Sequence, residues 1–167
     1  MAVVNVKSTV VNNADSLPAV INTAQLADGQ LRNKRGVVAV ANGDSINSTY
    51  RFGRVKSNDL VQSILLSCTA ITSGAMDVGL YRTANDGGAV VDADFFASAQ
   101  SIATALAQTN ITRESGVVTV ANMEKPLWEA LGLSADPQVE YDVVGTLTAA
   151  ATAAGNMALD IQVVGRN

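Results

Sequence analysis

Apolar and polar side chains alternate along most of the chain, and the pattern is densest in its middle third. Three segments there are separated by clusters of polar turn residues: 50–55, 60–70 and 75–81. A period of two places successive side chains on opposite faces, as in a half-buried β-strand. The pattern therefore predicts three consecutive strands. A helix also fits the second segment, but its β-branched and Ser-rich composition favours a strand.

The second segment has one more apolar face, which predicts the face that it buries. That face would carry Leu60, Gln62, Ile64, Leu66 and Cys68. The opposite face carries more serine and threonine. We therefore expect the first set to point into a core.

Further strands are predicted on both sides of the centre. They are segments 37–41, 117–120, 139–147 and 157–163. The residues 85–88, Asn-Asp-Gly-Gly, are a strong hairpin signal after the third central strand. Residues 1–11 alternate in part, which predicts a strand or an arm that orders against a neighbour. In total the pattern predicts seven or eight strands.

Two segments predict short helices. Asp92 or Asp94 is suited to cap a helix in the Ala- and Ser-rich stretch that follows. Residues 122–132 combine a proline near the start, Pro126, with an apolar stripe and a terminal glycine. We expect Trp128 to pin this second helix to a sheet.

Successive strands joined by turns, without a repeated strand–helix–strand order, predict an all-β fold. We expect an antiparallel β-sandwich, jelly-roll-like, with short helical insertions and an extended N-terminal arm. Residues 1–42 would form the arm or the first strand or strands, and residues 43–167 the sandwich body. No apolar run approaches the ~20 residues of a membrane span, and no signal peptide is recognisable, so no membrane association is expected.

The composition argues against an enzyme. The chain has no histidine, which excludes histidine general acid–base catalysis, the Ser-His-Asp triad and histidine metal sites. Its single cysteine, Cys68, lies in an apolar run and is expected to be a buried thiol. The pairs Asp92/Asp94 and Glu140/Asp142 could bind calcium or serve a carboxylate-pair hydrolase. We instead expect a helix cap and the solvent face of a strand, with no cofactor and no metal.

Charge is unevenly distributed along the chain. Residues 1–60 carry seven basic and four acidic side chains, and residues 61–167 carry four basic and eleven acidic ones. This asymmetry predicts one surface suited to an acidic partner, unless folding mixes the two halves.

Six basic residues fall within 25 positions: Arg32, Lys34, Arg35, Arg51, Arg54 and Lys56. The interleaved Tyr50 and Phe52 also suit a single-strand nucleic-acid binder. The acidic character of the whole chain favours a protein partner instead.

Several segments of the sequence resemble virion proteins of tailed bacteriophages. They are YRFGRV (50–55), SILLSC (63–68), DVGLYR (77–82), VDADFFA (91–97), KPLWEALGL (125–133) and YDVV (141–144). The resemblance covers roughly residues 43–164, and none of these segments is a catalytic motif. The family that the chain resembles is that of capsid decoration, or cement, proteins.

That resemblance implies a non-enzymatic structural protein, made in the bacterial cytoplasm and carried on the outer surface of the virion capsid. It implies a jelly-roll-like body that forms homodimers or homotrimers and clamps neighbouring major capsid proteins. We expect the six basic residues and the arm to face the capsid. Three alternatives remain. The first is another virion component, such as a tail or head-fibre protein, and the third is an enzyme such as a depolymerase, which the short chain and the missing histidine disfavour. The second is a carbohydrate-binding β-sandwich. The second usually exposes several aromatic residues, and this chain has one tryptophan.

Overall fold

The structure is a computed structural model that describes residues 4–165. Eight strands are present in these residues: β1 Leu31–Val40, β2 Thr49–Lys56, β3 Leu60–Cys68, β4 Ala75–Arg82, β5 Val90–Ser101, β6 Leu106–Asn110, β7 Glu140–Ala149 and β8 Gly155–Val164. The first sheet has the order β1-β8-β3-β6 and the second the order β2-β7-β4-β5. All pairs are antiparallel. This is the strand order of an eight-stranded jelly roll, which confirms the predicted fold class.

The core lies between the two sheets and draws on nearly every strand. The inward positions of β7, including Tyr141, Val143 and Leu147, are fully buried. Phe95 and Phe96 pack edge to face, with 4.9 Å between ring centroids, a favourable aromatic geometry. A core of this kind stabilises the sandwich by removing apolar surface from water.

The core-facing residues of β3 differ from the predicted face at the start of the strand. Four of the five predicted residues are buried, whereas Gln62 is exposed and Ser63 is buried. The register of β3 against β8 shifts between Val61 and Ser63. A β-bulge of this kind inserts one residue and reverses the alternation. The prediction was therefore wrong for Gln62 and for Leu60, which is buried outside the core cluster, whereas Val61 packs against that cluster.

The predicted helix after Asp92 and Asp94 is wrong, because these residues lie within β5. The register of β5 against β4 shifts three times. Between the pairs Val78–Ala97 and Leu80–Asp92, β4 advances by two residues and β5 by five. These irregularities remove the period of two from the sequence, so the strand does not show in the pattern. The next strand, β6, was not predicted either: its burial does not alternate, and Gln108 has a φ of +50°.

The segment 117–120, predicted as a strand, is instead a loop that leads into a 3-10 turn at Val120–Asn122. The helix predicted over 122–132 is reduced to α2, Leu127–Ala130. The backbone N–H groups of Leu127 and Trp128 each donate to a carbonyl of the β2–β3 turn at 3.0 Å. Leu127 is buried and Trp128 is half-buried, so Leu127 supplies the buried side chain that fixes this helix.

Residues 4–30 form no strand and lie against the outside of the sandwich. They contain the six-residue helix α1, Thr9–Ala14, which buries no residue. Several large apolar side chains of this segment are exposed, among them Ile21 at 94%. Residues 4–8 do not form the strand considered for residues 1–11, and residues 1–3 lie outside the described part. The stretch 1–42 therefore contains both this segment and the edge strand β1. The described residues include no helix with the length and apolar character of a membrane span.

Candidate functional site: the basic edge

The six basic residues singled out above lie on two strands that meet at one side of the sandwich. We call this surface the basic edge: Arg32, Lys34 and Arg35 on β1, and Arg51, Arg54 and Lys56 on β2. Each strand is the edge of its own sheet. The six residues were singled out because they are close in sequence, and the structure places them on the edge strands of two different sheets.

The two edge strands approach each other closely at Gly36 and Phe52. A Cβ atom added to Gly36 would lie 1.9 Å from the Phe52 carbonyl oxygen, so only glycine allows this approach. Near the same point the Lys34 ammonium donates a hydrogen bond to the Arg54 carbonyl. The basic side chains are therefore held on two strands whose backbones are almost in contact.

The strands that pair with β1 and β2 bring acidic side chains to this edge. Asp142 on β7 is buried, 5% exposed, and lies between two arginines. Arg51 Nη1 is 2.7 Å from Asp142 Oδ2, and Arg54 Nε is 2.8 Å from Asp142 Oδ1. Arg54 also approaches Glu140, with 3.6 Å between Nη1 and Oε2. Both arginines are thus oriented by a carboxylate that they shield from solvent.

Asp142 was expected on the solvent face of its strand, and the structure corrects this. Its side chain points away from the sandwich core, but the two arginines cover it. Arg51 also lies 5.8 Å from the centre of the Tyr81 ring and donates to the Arg82 carbonyl at 3.1 Å. These contacts join β2, β7 and β4 in one polar network.

A second ion pair joins β1 to β8. Arg35 donates two hydrogen bonds to the Asp160 carboxylate through Nε and Nη2. Hydrogen bonding from Arg35 lowers the pKa of Asp160, and the same contact raises the pKa of Arg35. The pKa of Arg54 is raised in the same way, chiefly by its hydrogen bond to Asp142. These shifts keep the pairs charged at neutral pH.

The basic edge is consequently less positive than the sequence alone indicates. Three of its six cations form ion pairs with Asp142, Glu140 or Asp160. Lys56 is exposed and forms no ion pair with any residue from 4 to 165. Folding therefore mixes the basic and acidic halves of the chain here, which was the alternative interpretation of the charge asymmetry. A positive excess remains among Lys34, Arg35, Arg51, Arg54 and Lys56, because these five cations lie beside three carboxylates, those of Asp142, Glu140 and Asp160.

The other candidate groups are the thiol of Cys68 and the acidic pair Asp92/Asp94. Cys68 is buried, and burial raises the pKa of its thiol. Burial, followed by a hydrogen bond with Asp94, raises the pKa of Asp92. Within residues 4–165 no three His, Cys, Asp or Glu side chains are grouped as a metal site would require.

Comparisons with known proteins indicate the fold. No family model matches the chain, and no curated protein matches it. A chain in the solved structure described as the capsid of Ralstonia phage GP4 has a TM-score of 0.56 and 13% sequence identity, over 83% of this chain and 86% of that one. A chain in the cyanophage Pam1 capsid asymmetric unit has a TM-score of 0.46 and 11% identity, over 82% and 86%. At this identity, the likeness to the Ralstonia phage chain is one of fold.

Proposed function

We propose that this chain is a capsid decoration, or cement, protein of a tailed bacteriophage. It binds the outer surface of the assembled head and stabilises the contacts between major capsid proteins, without enzymatic activity. The observation that carries the proposal is the jelly-roll likeness to a chain of the Ralstonia phage GP4 capsid, which extends over 83% of this chain. The alignment covers 83% of this chain and 86% of the Ralstonia phage chain, so the two chains are close in length. This supports a small capsid component of the same architecture.

The physical requirements of a cement protein fit the described residues. Such a protein needs a stiff body and a surface that matches the shell, and it needs no catalytic group. Binding that is specific for the assembled head stabilises the head by mass action. Many copies on one lattice, as homodimers or homotrimers on its symmetry axes, add avidity, so each contact can be weak.

The test is co-sedimentation of the purified protein with undecorated heads over a series of salt concentrations. We expect saturable binding with a fixed number of copies per head, weakening as salt rises because screening reduces charge attraction. Salt-resistant binding would retain the head-binding role and contradict the basic edge as its site. No binding at any salt concentration would contradict the proposal and direct attention to a tail or fibre role.

The basic edge is best tested at its lysines. Arg51 and Arg54 are unsuitable, because a change there exposes the buried Asp142 and alters stability. Replacing Lys56 by Glu changes an exposed cation that forms no ion pair with a described residue. The matched control is Lys125→Glu, the same charge change on an exposed loop. We expect Lys56→Glu to weaken head binding by roughly 3- to 10-fold at low salt, as for a charged residue at an interface rim. An equal effect of both variants would contradict the assignment.

A further inference from the structure

β1 is an edge strand that is ready to accept another strand. Its ten residues pair with β8 without a register shift, whereas each of the other three edge strands, β2, β5 and β6, contains at least one. Two of those strands also contain a residue with positive φ, Ala99 on β5 and Gln108 on β6. Bulges and irregular backbone prevent strand addition at sheet edges. Of the edges described, β1 is the one without this protection.

The hydrogen bonds of the first sheet show which β1 residues have free backbone groups. Thr69 donates its N–H to the Asn156 carbonyl at 3.0 Å, and Ile111 donates to the Ile64 carbonyl at 2.9 Å. The first bond shows that the carbonyl of Asn156 points towards β3, and the backbone groups of the other even-numbered β8 residues share this direction. The second turns Ile64 away from its β8 partner. Backbone N–H and C=O groups point to alternate sides along an antiparallel strand. Both observations therefore show that the N–H and C=O groups of the odd-numbered β8 residues point towards β1.

Lys34 and Gly36 are opposite odd-numbered residues of β8 and take part in the ladder. Asn33, Arg35 and Val37 alternate with these two residues along β1, so their N–H and C=O groups point away from β8. Among the described residues no other hydrogen bond reaches the backbone of these three. They are all exposed, Val37 at 66%. A row of unpaired backbone groups is therefore open to solvent at this edge.

The charge at this edge selects the kind of strand that it can accept. Lys34 and Arg35 lie on β1, and Lys56 and Arg54 lie on the adjacent β2, with a positive excess over their acidic partners. A β1 strand from a second copy would bring cations opposite cations, which is unfavourable across a strand pair. An extended segment with Asp or Glu at alternating positions would meet these cations and form main-chain hydrogen bonds as well.

We infer that β1 binds an extended, acidic segment of another protein by strand addition, at the free backbone groups of Asn33, Arg35 and Val37. The inference rests on the proposed function only for the source of the segment, which would be the major capsid protein. Main-chain bonds supply the affinity, and the basic edge supplies the preference for acidic side chains. The first sheet thereby gains a fifth strand.

The deciding variant is Val37→Pro. Proline removes the N–H of a residue that makes no ladder bond, and proline is tolerated on edge strands where this group faces solvent. The matched control Val37→Thr keeps both the N–H and a β-branched side chain. With undecorated heads, we expect Val37→Pro to lower the affinity about tenfold or more and Val37→Thr to stay within about twofold, since one lost main-chain bond and the poor fit of the ring both weaken pairing. Melting curves confirm that both variants fold.

A peptide assay tests the edge without heads. The probe is an eight-residue peptide of alternating Thr and Glu, with a Thr-Lys peptide as its control. We expect the Thr-Glu peptide to slow amide exchange at Asn33, Arg35 and Val37, with Val37→Pro abolishing the effect and the Thr-Lys peptide causing none.

The outcomes separate the two proposals. Heads that bind Val37→Pro as well as the wild type overturn strand addition and leave the capsid role intact. If the wild type does not bind heads, the capsid role fails, and the peptide assay then decides the inference alone. Absent or charge-independent protection in that assay overturns it.

Discussion

Arg54 on β2 and Asp142 on β7 form a hydrogen-bonded ion pair, with 2.8 Å between Nε and Oδ1. The two residues are 88 positions apart in the chain. Arg51 binds the other carboxylate oxygen, so a single buried acid holds two cations of the basic edge. The same contacts join β2 to β7 within the second sheet and neutralise part of the charge of the basic edge.

Removal of Asp142 is expected to destabilise the fold. The variant Asp142→Ala removes the carboxylate that Arg51 and Arg54 share, and hydrogen bonds to charged groups contribute about 1.5–3 kcal/mol each, less where solvent has access. We expect the free energy of unfolding to fall by about 1–3 kcal/mol, measured by urea denaturation. The control is Glu140→Gln, at an exposed residue with a 3.6 Å contact, which should change little because exposed pairs contribute little. Equal losses for both variants would contradict this account.

The ion pair between Arg35 and Asp160 predicts a pH dependence. Arg35 lowers the pKa of Asp160 in the folded protein, so the unfolded chain takes up a proton at higher pH than the folded one. The contribution to stability is therefore complete above the unfolded pKa of about 3.9 and is lost as the pH falls through the lower folded value. We expect the stability difference between wild type and Asp160→Asn to be constant from pH 7 to pH 5 and to shrink below pH 4. A difference that persists unchanged at pH 2 would contradict the pairing.

Gly36 is expected to tolerate no side chain. An added Cβ would overlap the Phe52 backbone, which cannot move without separating the two edge strands. Overpacking of this kind costs about 1–3 kcal/mol, so Gly36→Ala should lower the denaturation midpoint clearly. The comparison is Gly53→Ala, whose new methyl group would meet only the end of the Ile161 side chain at 3.0 Å. If Gly53→Ala were the more destabilising of the two, the close approach at Gly36 would be in doubt.

The N-terminal segment is expected to be dispensable for folding. Residues 4–22 contribute no buried side chain, so deletion of residues 1–22 should change the melting temperature by less than about 3 °C, equivalent to less than about 1 kcal/mol for a chain of this size. Under the proposed function, the exposed apolar side chains of this segment bind the head, and the deletion should lower head occupancy. A large drop in melting temperature would show instead that the segment packs on the sandwich as part of the fold. Unchanged occupancy would contradict its role at the head.

Local alternation was sufficient to predict six of the eight strands, because a half-buried strand shows its period of two directly in the sequence. β7 and β8 are clear cases, with Val143 and Ile161 on their inward faces. Alternation also predicted the fold class, since strands joined by turns without regular crossover helices pack as an antiparallel sandwich. β5 and β6 were missed because bulges and positive-φ residues interrupt the period where it would be recognised.

The sequence by itself determined the all-β architecture and the place of several turns, and it showed six cations within 25 positions. The tertiary structure placed those cations on two adjacent edge strands, because β1 begins at Leu31, before the predicted strand. Only the tertiary structure decided how many of those cations are paired. Asp142 and Asp160 come from strands far along the chain, and strand pairing brings them beside Arg54 and Arg35. It also decided that β1 is an open edge, because the direction of a backbone N–H depends on the register of the neighbouring strand. Register is a relationship between distant segments, and no local pattern records it.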